Sequence, residues 1–335
     1  MQLPRPLWLA LFLLFASPAD ARSVVDATGR TVRVPDRIDR VMPAGQPAAV
    51  LLYTLTPEKM VGWPHTPSAA ARAFLQPAFS ALLELAPLVR EGKAQSEQIR
   101  AAKPDVIVDY GSTSSRYAER ATMVQEATGI PVLLIDGKLE RTPEIYRLLG
   151  QVLGAEKRAA DLADAAEHFL AITRQKTDAR RAAGPIRAYY ARSADGLTTA
   201  TSASSLGDVL RLVNLTNVAD GAGAGELVHV TWDQVHGWEP DAILTNNPEF
   251  SKAQEKPEWA ELRAVTQQHV YSAPALPFGW IDEPPSVNRL IGLLWAGHAL
   301  YPAIYPDDLR AEAQDFYRRF YRVDLDPEQL GALLR

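Results

Sequence analysis

The chain has 335 residues, 47% of them hydrophobic, with a formal net charge of -5, six histidines and no cysteine. This length favours two domains with separate cores. The acidic balance excludes the basic surface of a nucleic-acid-binding protein, and the absence of cysteine excludes disulfides, thiolate metal sites and a lipidated cysteine.

Residues 1–21 have the pattern of a cleaved secretory signal peptide. Arg5 supplies the positive start, residues 7–15 form an apolar run, and residues 19–21 have small residues at both ends. The apolar run is about nine residues, whereas a membrane-spanning helix needs about 20. We therefore predict a secreted, soluble protein without a lipid anchor, whose mature chain begins near Arg22.

Helical and strand-like segments alternate through residues 22–154. Apolar runs at residues 106–108 and 132–135 are typical of buried strands, and helix-forming stretches precede both. A further short strand is predicted at residues 40–42. This alternation predicts an amino-terminal α/β lobe, residues 22–154, built on a parallel sheet.

Residues 155–183 predict one long connecting helix. The segment lacks proline and glycine, and its apolar positions (Ala159, Leu162, Ala166, Phe169 and Leu170) follow the spacing of one helix face. At 1.5 Å per residue, about 29 residues would span roughly 43 Å, more than one lobe requires. We therefore expect a rigid connection between two lobes, ending at Gly184-Pro185.

A short pattern occurs once on each side of this helix. Residues 97–99 (Glu-Gln-Ile), followed by Pro-Asp at 104–105, correspond to residues 233–235 (Asp-Gln-Val), followed by Pro-Asp at 240–241. This symmetric placement indicates two related lobes, the second covering residues 184–335. The predicted fold is α/β: two Rossmann-like lobes with parallel sheets, bridged by a single long helix.

Catalytic signatures are missing from the sequence. It contains no G-x-S-x-G, H-E-x-x-H or P-loop motif, and its histidines lack metal-ligand spacing. The glycine-rich residues 221–225 are better interpreted as a flexible loop than as a dinucleotide-binding turn. We predict that the protein is not an enzyme and carries no cofactor.

Loops after the predicted strands contain aromatic, amide and charged residues. Parallel α/β sheets bind ligands outside the carboxyl ends of their strands, so the loops of two lobes can face one cleft. Aromatic rings would supply flat walls, and Arg192 could complement a carboxylate, catecholate or oxyanion. The predicted ligand-binding residues are Gln46, Trp63, His65, Tyr110, Tyr190, Arg192, Asn246, Phe278 and Trp280.

Several segments make the chain resemble the periplasmic binding proteins for iron-siderophore, haem, cobalamin and related metal complexes, in which one long helix joins two lobes. The matching features are residues 25–30, both Pro-Asp motifs, the connecting helix, residues 190–197 and residues 316–321. The resemblance implies a periplasmic, monomeric solute-binding component of an ABC importer. It would carry a small-molecule metal chelate to a permease in the inner membrane.

The resemblance also gives the repeated acids a role. In this class a carboxylate on each lobe docks on permease arginines, and Glu97 and Asp233 occupy the matching positions. The usual residue is glutamate at both, so Asp233 departs from the pattern. Helix-start capping is an alternative or additional role.

The ligand is left open between several classes, of which we favour an iron-siderophore complex. Trp63, Tyr110, Phe278 and Trp280 suit a broad organic chelate or a corrinoid. His65 and His229 could coordinate nickel or haem iron, and Arg192 with loop amides could bind molybdate or tungstate. A periplasmic enzyme on a two-lobed scaffold is the competing class, and a structural protein would bind no saturable small ligand.

Overall fold

The computed structural model describes residues 21–85, 93–223, 225–250, 252, 255–305 and 308–334. Apart from Ala21, the predicted signal peptide lies outside these residues. No helix in the described ranges is long and apolar enough to cross a membrane.

The amino-terminal lobe is built on a parallel sheet, as predicted. A hairpin of β1 (Ala21–Val25) and β2 (Thr31–Pro35) precedes the sheet, whose order is β3 (Val41–Pro43), β4 (Val106–Gly111), β5 (Val132–Asp136). Most residues of these three strands are buried because helices cover both faces of the sheet. The helices are α1 (Gln46–Leu55), α2 (Ala69–Arg72), α3 (Pro77–Ser80), α4 (Lys93–Ala102), α5 (Ser115–Thr128) and α6 (Thr142–Leu153).

The turn between β1 and β2 is organised by the buried Asp26. Its Oδ1 accepts bonds from the Thr28 amide and hydroxyl, and its Oδ2 accepts two from the Arg30 guanidinium. Burial alone would raise the pKa of this carboxyl, but these donors outweigh it and lower the pKa. Residues 25–30 therefore serve a local structural role.

The connection between the lobes is not one uninterrupted helix. One residue, Lys176, separates helix α7 (Glu156–Gln175) from helix α8 (Thr177–Ala183). The predicted apolar face of α7 is buried. The Thr173 carbonyl, the normal acceptor for the residue 177 amide, accepts the Thr177 hydroxyl at 3.4 Å and Arg180 Nη1 at 2.9 Å. Such side-chain competition for a backbone acceptor weakens and bends helices.

The carboxyl-terminal lobe repeats the parallel arrangement. Its sheet has the order β11 (Val270–Ser272), β10 (Ala242–Thr245), β6 (Arg187–Tyr190), β8 (Thr216–Asn217), and β7 (Thr198–Ala200) pairs antiparallel with β9 (Leu227–His229). The helices are α9 (Asp208–Leu212), α10 (Trp232–Trp238), α11 (Pro257–Ala260), α12 (Arg263–Thr266), α13 (Arg289–Leu300), α14 (Leu309–Phe316) and α15 (Pro327–Leu333).

The two Pro-Asp motifs make equivalent contacts in the two lobes. Asp105 Oδ2 accepts the Arg40 amide at 2.8 Å just before β3, and Asp241 Oδ2 accepts the Arg187 amide at 3.1 Å at the start of β6. In each lobe the backbone amide of the aspartate also donates to the backbone carbonyl of the same arginine. The sequence repeat is therefore also a structural repeat.

The end of the chain returns to the amino-terminal lobe. A π-helical turn, Tyr317–Tyr321, follows α14, and the Tyr53 hydroxyl of α1 donates to the Tyr321 carbonyl at 3.1 Å. Phe320 packs against both Tyr146 and Phe169. The last segment of the chain, predicted to belong to the second lobe, thus also joins the two.

Candidate functional site

A cavity with a volume of about 570 Å³ lies between the two lobes. The amino-terminal lobe supplies the loops that follow β4 and β5, at the carboxyl ends of these strands. The other lobe supplies loop residues after β7 and before β9. The lining residues are Gly111, Ser112, Thr113, Ser114, Arg116, Tyr117, Asp136, Lys138, Ala203, Ser204, Ser205, Gly225 and Glu226.

A smaller cavity of about 200 Å³ adjoins the first and shares Ser112, Tyr117 and Glu226 with it. It extends to Gly45, in the loop after β3, to Pro47 in the first turn of α1, and to Asp109 and Arg120. We call the two cavities together the interlobe cleft. The carboxyl ends of all three strands of the amino-terminal sheet therefore border it.

The cleft is lined by cations and hydroxyl groups. Arg116 and Lys138 are exposed, and their side chains form no hydrogen bond or ion pair with any residue that the structure describes. Asp136, the acid next to Lys138, is already paired with Arg141 at 3.1 Å. Two positive charges are therefore available to a ligand.

The start of α5 adds backbone donors to this wall. The residue that precedes the helix, Ser114, makes no side-chain cap. The first amides of a helix lack internal partners, and the helix dipole favours negative charge there. Because Ser112, Thr113 and Ser114 surround this end, an anion would meet both hydroxyl and amide donors.

Two acids besides Asp136 also border the cleft. Glu226 stands on the opposite lobe and is exposed. Burial raises the pKa of Asp109, while the nearby charge of Arg120 acts in the other direction. The amino-terminal wall therefore carries the cations together with Asp109 and Asp136, and the facing loop carries Glu226.

The large aromatic residues predicted to form the cleft walls are buried in this structure. Trp63 and Trp280 are both 0% exposed, and their indole N–H groups bond to the Phe79 carbonyl and the Tyr317 hydroxyl. Phe278 packs on Trp63 with a centroid distance of 6.2 Å. These rings form the apolar junction of the lobes and offer no face to a ligand in this conformation, so this structure does not place them on the cleft walls where they were predicted.

Arg192 and its neighbours lie in a separate buried polar cluster. Arg192 Nε is 2.6 Å from the fully buried Asp282 Oδ2, and its Nη2 is 3.5 Å from Glu283 Oε1. The Tyr190 hydroxyl donates to Asn246 Oδ1 at 2.9 Å. In this structure the charge of Arg192 is therefore neutralised by acids of the protein itself, and its role towards a ligand stays a prediction.

The remaining predicted residues lie near the cleft edge or away from it. Tyr110 is 2% exposed but borders the smaller cavity. Gln46 Nε2 bonds to the His65 carbonyl at 2.9 Å, while the His65 ring is exposed. His229 bonds to Thr198, and no cluster of three potential metal ligands occurs within the described ranges.

Sequence reasoning missed most of the residues that line the cleft. Tyr110 was among the predicted ligand-binding residues, but Thr113, Arg116 and Tyr117, which follow it, were not. A detectable signal existed in the Ser/Thr-rich stretches at residues 112–115 and 201–205, which each follow a strand. Lys138, two residues beyond β5, obeys the same strand-end rule.

The fold and the cleft define a two-lobed binding protein, and comparison with known proteins identifies its family. The family model described as "Periplasmic binding protein" matches residues 49–276, so the chain belongs to this family. Its members and the related solved structures are transport binding proteins of ABC importers. A search of curated proteins finds no significant match.

Three solved structures show how similar the fold is. An ABC transporter solute binding protein from Sulfurospirillum deleyianum is 27% identical, with a TM-score of 0.83 over 93% of this chain and 98% of that one. A periplasmic solute binding protein from Veillonella parvula is 24% identical, with a TM-score of 0.73 over 94% and 97%. The molybdate-bound protein MolA from Haemophilus influenzae is 22% identical, with a TM-score of 0.75 over 91% and 99%.

Proposed function

We propose that this protein is the periplasmic solute-binding component of an ABC importer and holds a negatively charged metal chelate in the interlobe cleft. An iron-siderophore complex is the ligand that we favour. The observation that carries this proposal is the cleft wall of Arg116 and Lys138, whose charges lack partners among the described residues. Carboxylate or catecholate groups of a chelate would complement them.

The size of the cleft supports an organic ligand. Its main cavity of about 570 Å³ falls within the roughly 300–1,000 Å³ typical of small-molecule sites. A bare tetrahedral oxyanion would fill only a small part of this volume. Tyr117 supplies the one aromatic ring of the main cavity's described lining, which is otherwise hydroxyl, charged and small residues.

A molybdate or tungstate ion is the second candidate. The specific observation in its favour is the group of donors around the start of α5, where hydroxyl groups, amides and Arg116 converge. The MolA structure from Haemophilus influenzae has molybdate bound.

Haem, corrinoid and nickel ligands are less well supported by this cleft. His65 and His229, the histidines considered as ligands for haem iron or nickel, are absent from its described lining. Of the aromatic residues considered for a corrinoid, Tyr110 borders the smaller cavity but is buried, and Trp63, Phe278 and Trp280 lie in the core. The proposal therefore rests on charge rather than on aromatic stacking.

Native mass spectrometry of the protein purified from the periplasm of its source would test the proposal. We expect a bound species whose mass corresponds to an iron complex with acidic groups, and removal of iron should change that mass. A mass increment matching molybdate or tungstate would support the second candidate. Protein that acquires no small ligand, even from iron-starved cells, would contradict both.

A further inference from the structure

A buried ion pair lies at the floor of the interlobe cleft. Arg289, at the start of α13, is 0% exposed, and Asp208, at the start of α9, is 3% exposed. Arg289 Nη1 and Asp208 Oδ2 are 3.1 Å apart. Both residues belong to the carboxyl-terminal lobe, and neither lines the described cleft.

This pair reaches across to the amino-terminal lobe. Arg289 Nη2 donates to the Gly137 carbonyl at 2.8 Å, and Asp208 Oδ2 accepts the Leu139 amide at 3.0 Å. The two backbone groups flank Lys138, the cleft cation. The buried pair therefore fixes the backbone on both sides of a proposed ligand-binding residue.

Two more charges extend the pair towards the opposite side of the junction. Arg211 lies 2.7 Å from Asp208 Oδ1 through Nη2 and 2.7 Å from Glu140 Oε1 through Nη1. Arg289, Asp208, Arg211 and Glu140 thus alternate in sign, and we call them the interlobe ion-pair chain. Glu140 belongs to the amino-terminal lobe, so this chain contains a direct ion pair between the lobes.

The ion-pair chain also contacts the other wall of the cleft. Arg289 donates to the carbonyl of Ser205, which lines the cavity. On the facing side, the Gly137 amide donates to the Gly111 carbonyl at 2.7 Å. A Cβ at Gly137 would lie 2.6 Å from Gly111 Cα, so only glycine allows this close approach.

The ionisation of the outer pair is strongly favoured. The hydrogen bond to Glu140 raises the pKa of Arg211 above its usual value. Burial raises the pKa of Glu140, but the bond from Arg211, a backbone hydrogen bond and the charges of Arg211 and Arg289 together lower that pKa below its usual value. Both groups therefore stay charged over the physiological range.

Stability alone does not explain why such charges are buried. Desolvation offsets much of the attraction in a buried ion pair, and apolar residues of similar volume often serve equally well. Charged groups differ from apolar ones in requiring partners at defined distances and directions. Here the partners include backbone groups at both cleft walls. The charged groups can therefore reach all their partners only when the two lobes have a defined relative placement.

We propose that the interlobe ion-pair chain sets the angle between the lobes and the positions of Lys138 and Ser205 across the cleft. Its members act through Gly137, Leu139 and Ser205 and are positioning residues. This role holds whichever ligand occupies the cleft. Its failure would leave the transport function standing.

The interlobe distance in the full mature chain can be measured without a ligand. The sequence has no cysteine, so Glu126→Cys and Glu261→Cys would place two unique spin labels. Both positions are exposed, one on α5 and the other just after α11. Double electron–electron resonance would give the distribution of distances between the two spin labels, and hence between the lobes.

Arg211→Met and Asp208→Asn should broaden or shift this distribution, whereas Arg147→Gln should not. The control removes the Arg147–Asp164 pair, 3.0 Å long, which joins α6 to α7 without reaching the second lobe. In Asp208→Asn, amide exchange at Leu139 should accelerate about tenfold or more, because a charged acceptor is lost. Thermal unfolding would be measured on each variant.

A purely stabilising role would lower the melting temperature and leave the interlobe distances unchanged. That result in Arg211→Met would overturn the proposal. Arg211 is 39% exposed, so this variant should fold even if Asp208→Asn does not. In that case the interlobe distance distribution of Arg211→Met decides whether the proposal holds.

Discussion

Arg116 and Lys138 are the residues on which the proposed ligand chemistry depends. Replacing either with alanine should weaken binding of the anionic ligand found by mass spectrometry by about tenfold to a hundredfold, because a charged hydrogen bond contributes roughly 1.5–3 kcal/mol. Isothermal titration calorimetry would measure the affinity.

Lys157→Ala is the matched control for these variants. Lys157 is an exposed cation on α7, outside the described cleft lining. The control should bind as the wild-type protein does. Equal affinities for all three variants and the wild type would show that residues other than Arg116 and Lys138 neutralise the charge of the ligand.

Trp63 is a residue whose predicted location differs from its location in the structure. A tryptophan after a strand suits either a ligand wall or a core, and the sequence does not distinguish these. In the structure its ring packs on Tyr53 at 5.6 Å and on Phe278, and its N–H is bonded. The choice depends on residues more than 200 positions away, which local patterns do not reveal.

Trp63→Ala should therefore lower the free energy of unfolding by about 3–5 kcal/mol, the usual cost of emptying a buried aromatic site. Denaturant unfolding followed by circular dichroism would measure it. Ligand affinity of the folded fraction should change little. A variant of normal stability with greatly weakened binding would instead place Trp63 in the ligand site.

At the scale of elements, strands were easier to predict than helix ends or loops. Residues 106–108 and 132–135 are buried on both faces, so their sequences are continuous apolar runs. The break after Gln175 depends on Arg180, which bonds to the Thr173 carbonyl and to Tyr305 from across the fold. Composition alone predicted an unbroken helix because that distant contact leaves no local pattern.

The repeated helices α4 and α10 carry the two acids proposed to dock on the permease. The α10 cap is formed by Thr231 and Gln234 rather than by Asp233, and Glu97 lies beyond the first turn of α4. Both acids are exposed and make no hydrogen bond or ion pair with the described residues. Neither acid therefore forms a side-chain cap, although Asp233 lies in the first turn of α10, where the helix dipole favours a carboxylate.

Glu97→Ala and Asp233→Ala together should impair uptake while ligand affinity and stability stay near wild-type values. Surface substitutions of this kind usually change stability by less than about 0.5 kcal/mol. Transport into cells that depend on this importer would be compared with calorimetric affinity. Glu126→Ala, which removes an exposed acid from α5, serves as the control. Normal uptake by the double variant would remove the docking assignment.

For the whole molecule, several contacts between the described residues hold the lobes together, and three of them differ in kind. Helix α7 passes between them, the aromatic turn at Tyr317–Tyr321 packs back on α1, and the interlobe ion-pair chain bridges the cleft floor. The sequence predicted only the first, since the other two join residues far apart in the chain. This is the physical reason why two lobes could be predicted but their relative placement could not.

Because these connections act together, ligand binding should produce only limited closure. Large hinge motions need a few residues that absorb the change in backbone angles, whereas here helix, aromatic packing and paired charges would all have to yield. Small-angle X-ray scattering of the wild-type protein, with and without its ligand, should show nearly equal radii of gyration. Arg211→Met should show a larger ligand-induced change than Arg147→Gln, since it breaks the bridge at the cleft floor. A large fall in the wild-type radius would mean that the connecting region bends freely, and the break between α7 and α8 would then be the place to look for the hinge.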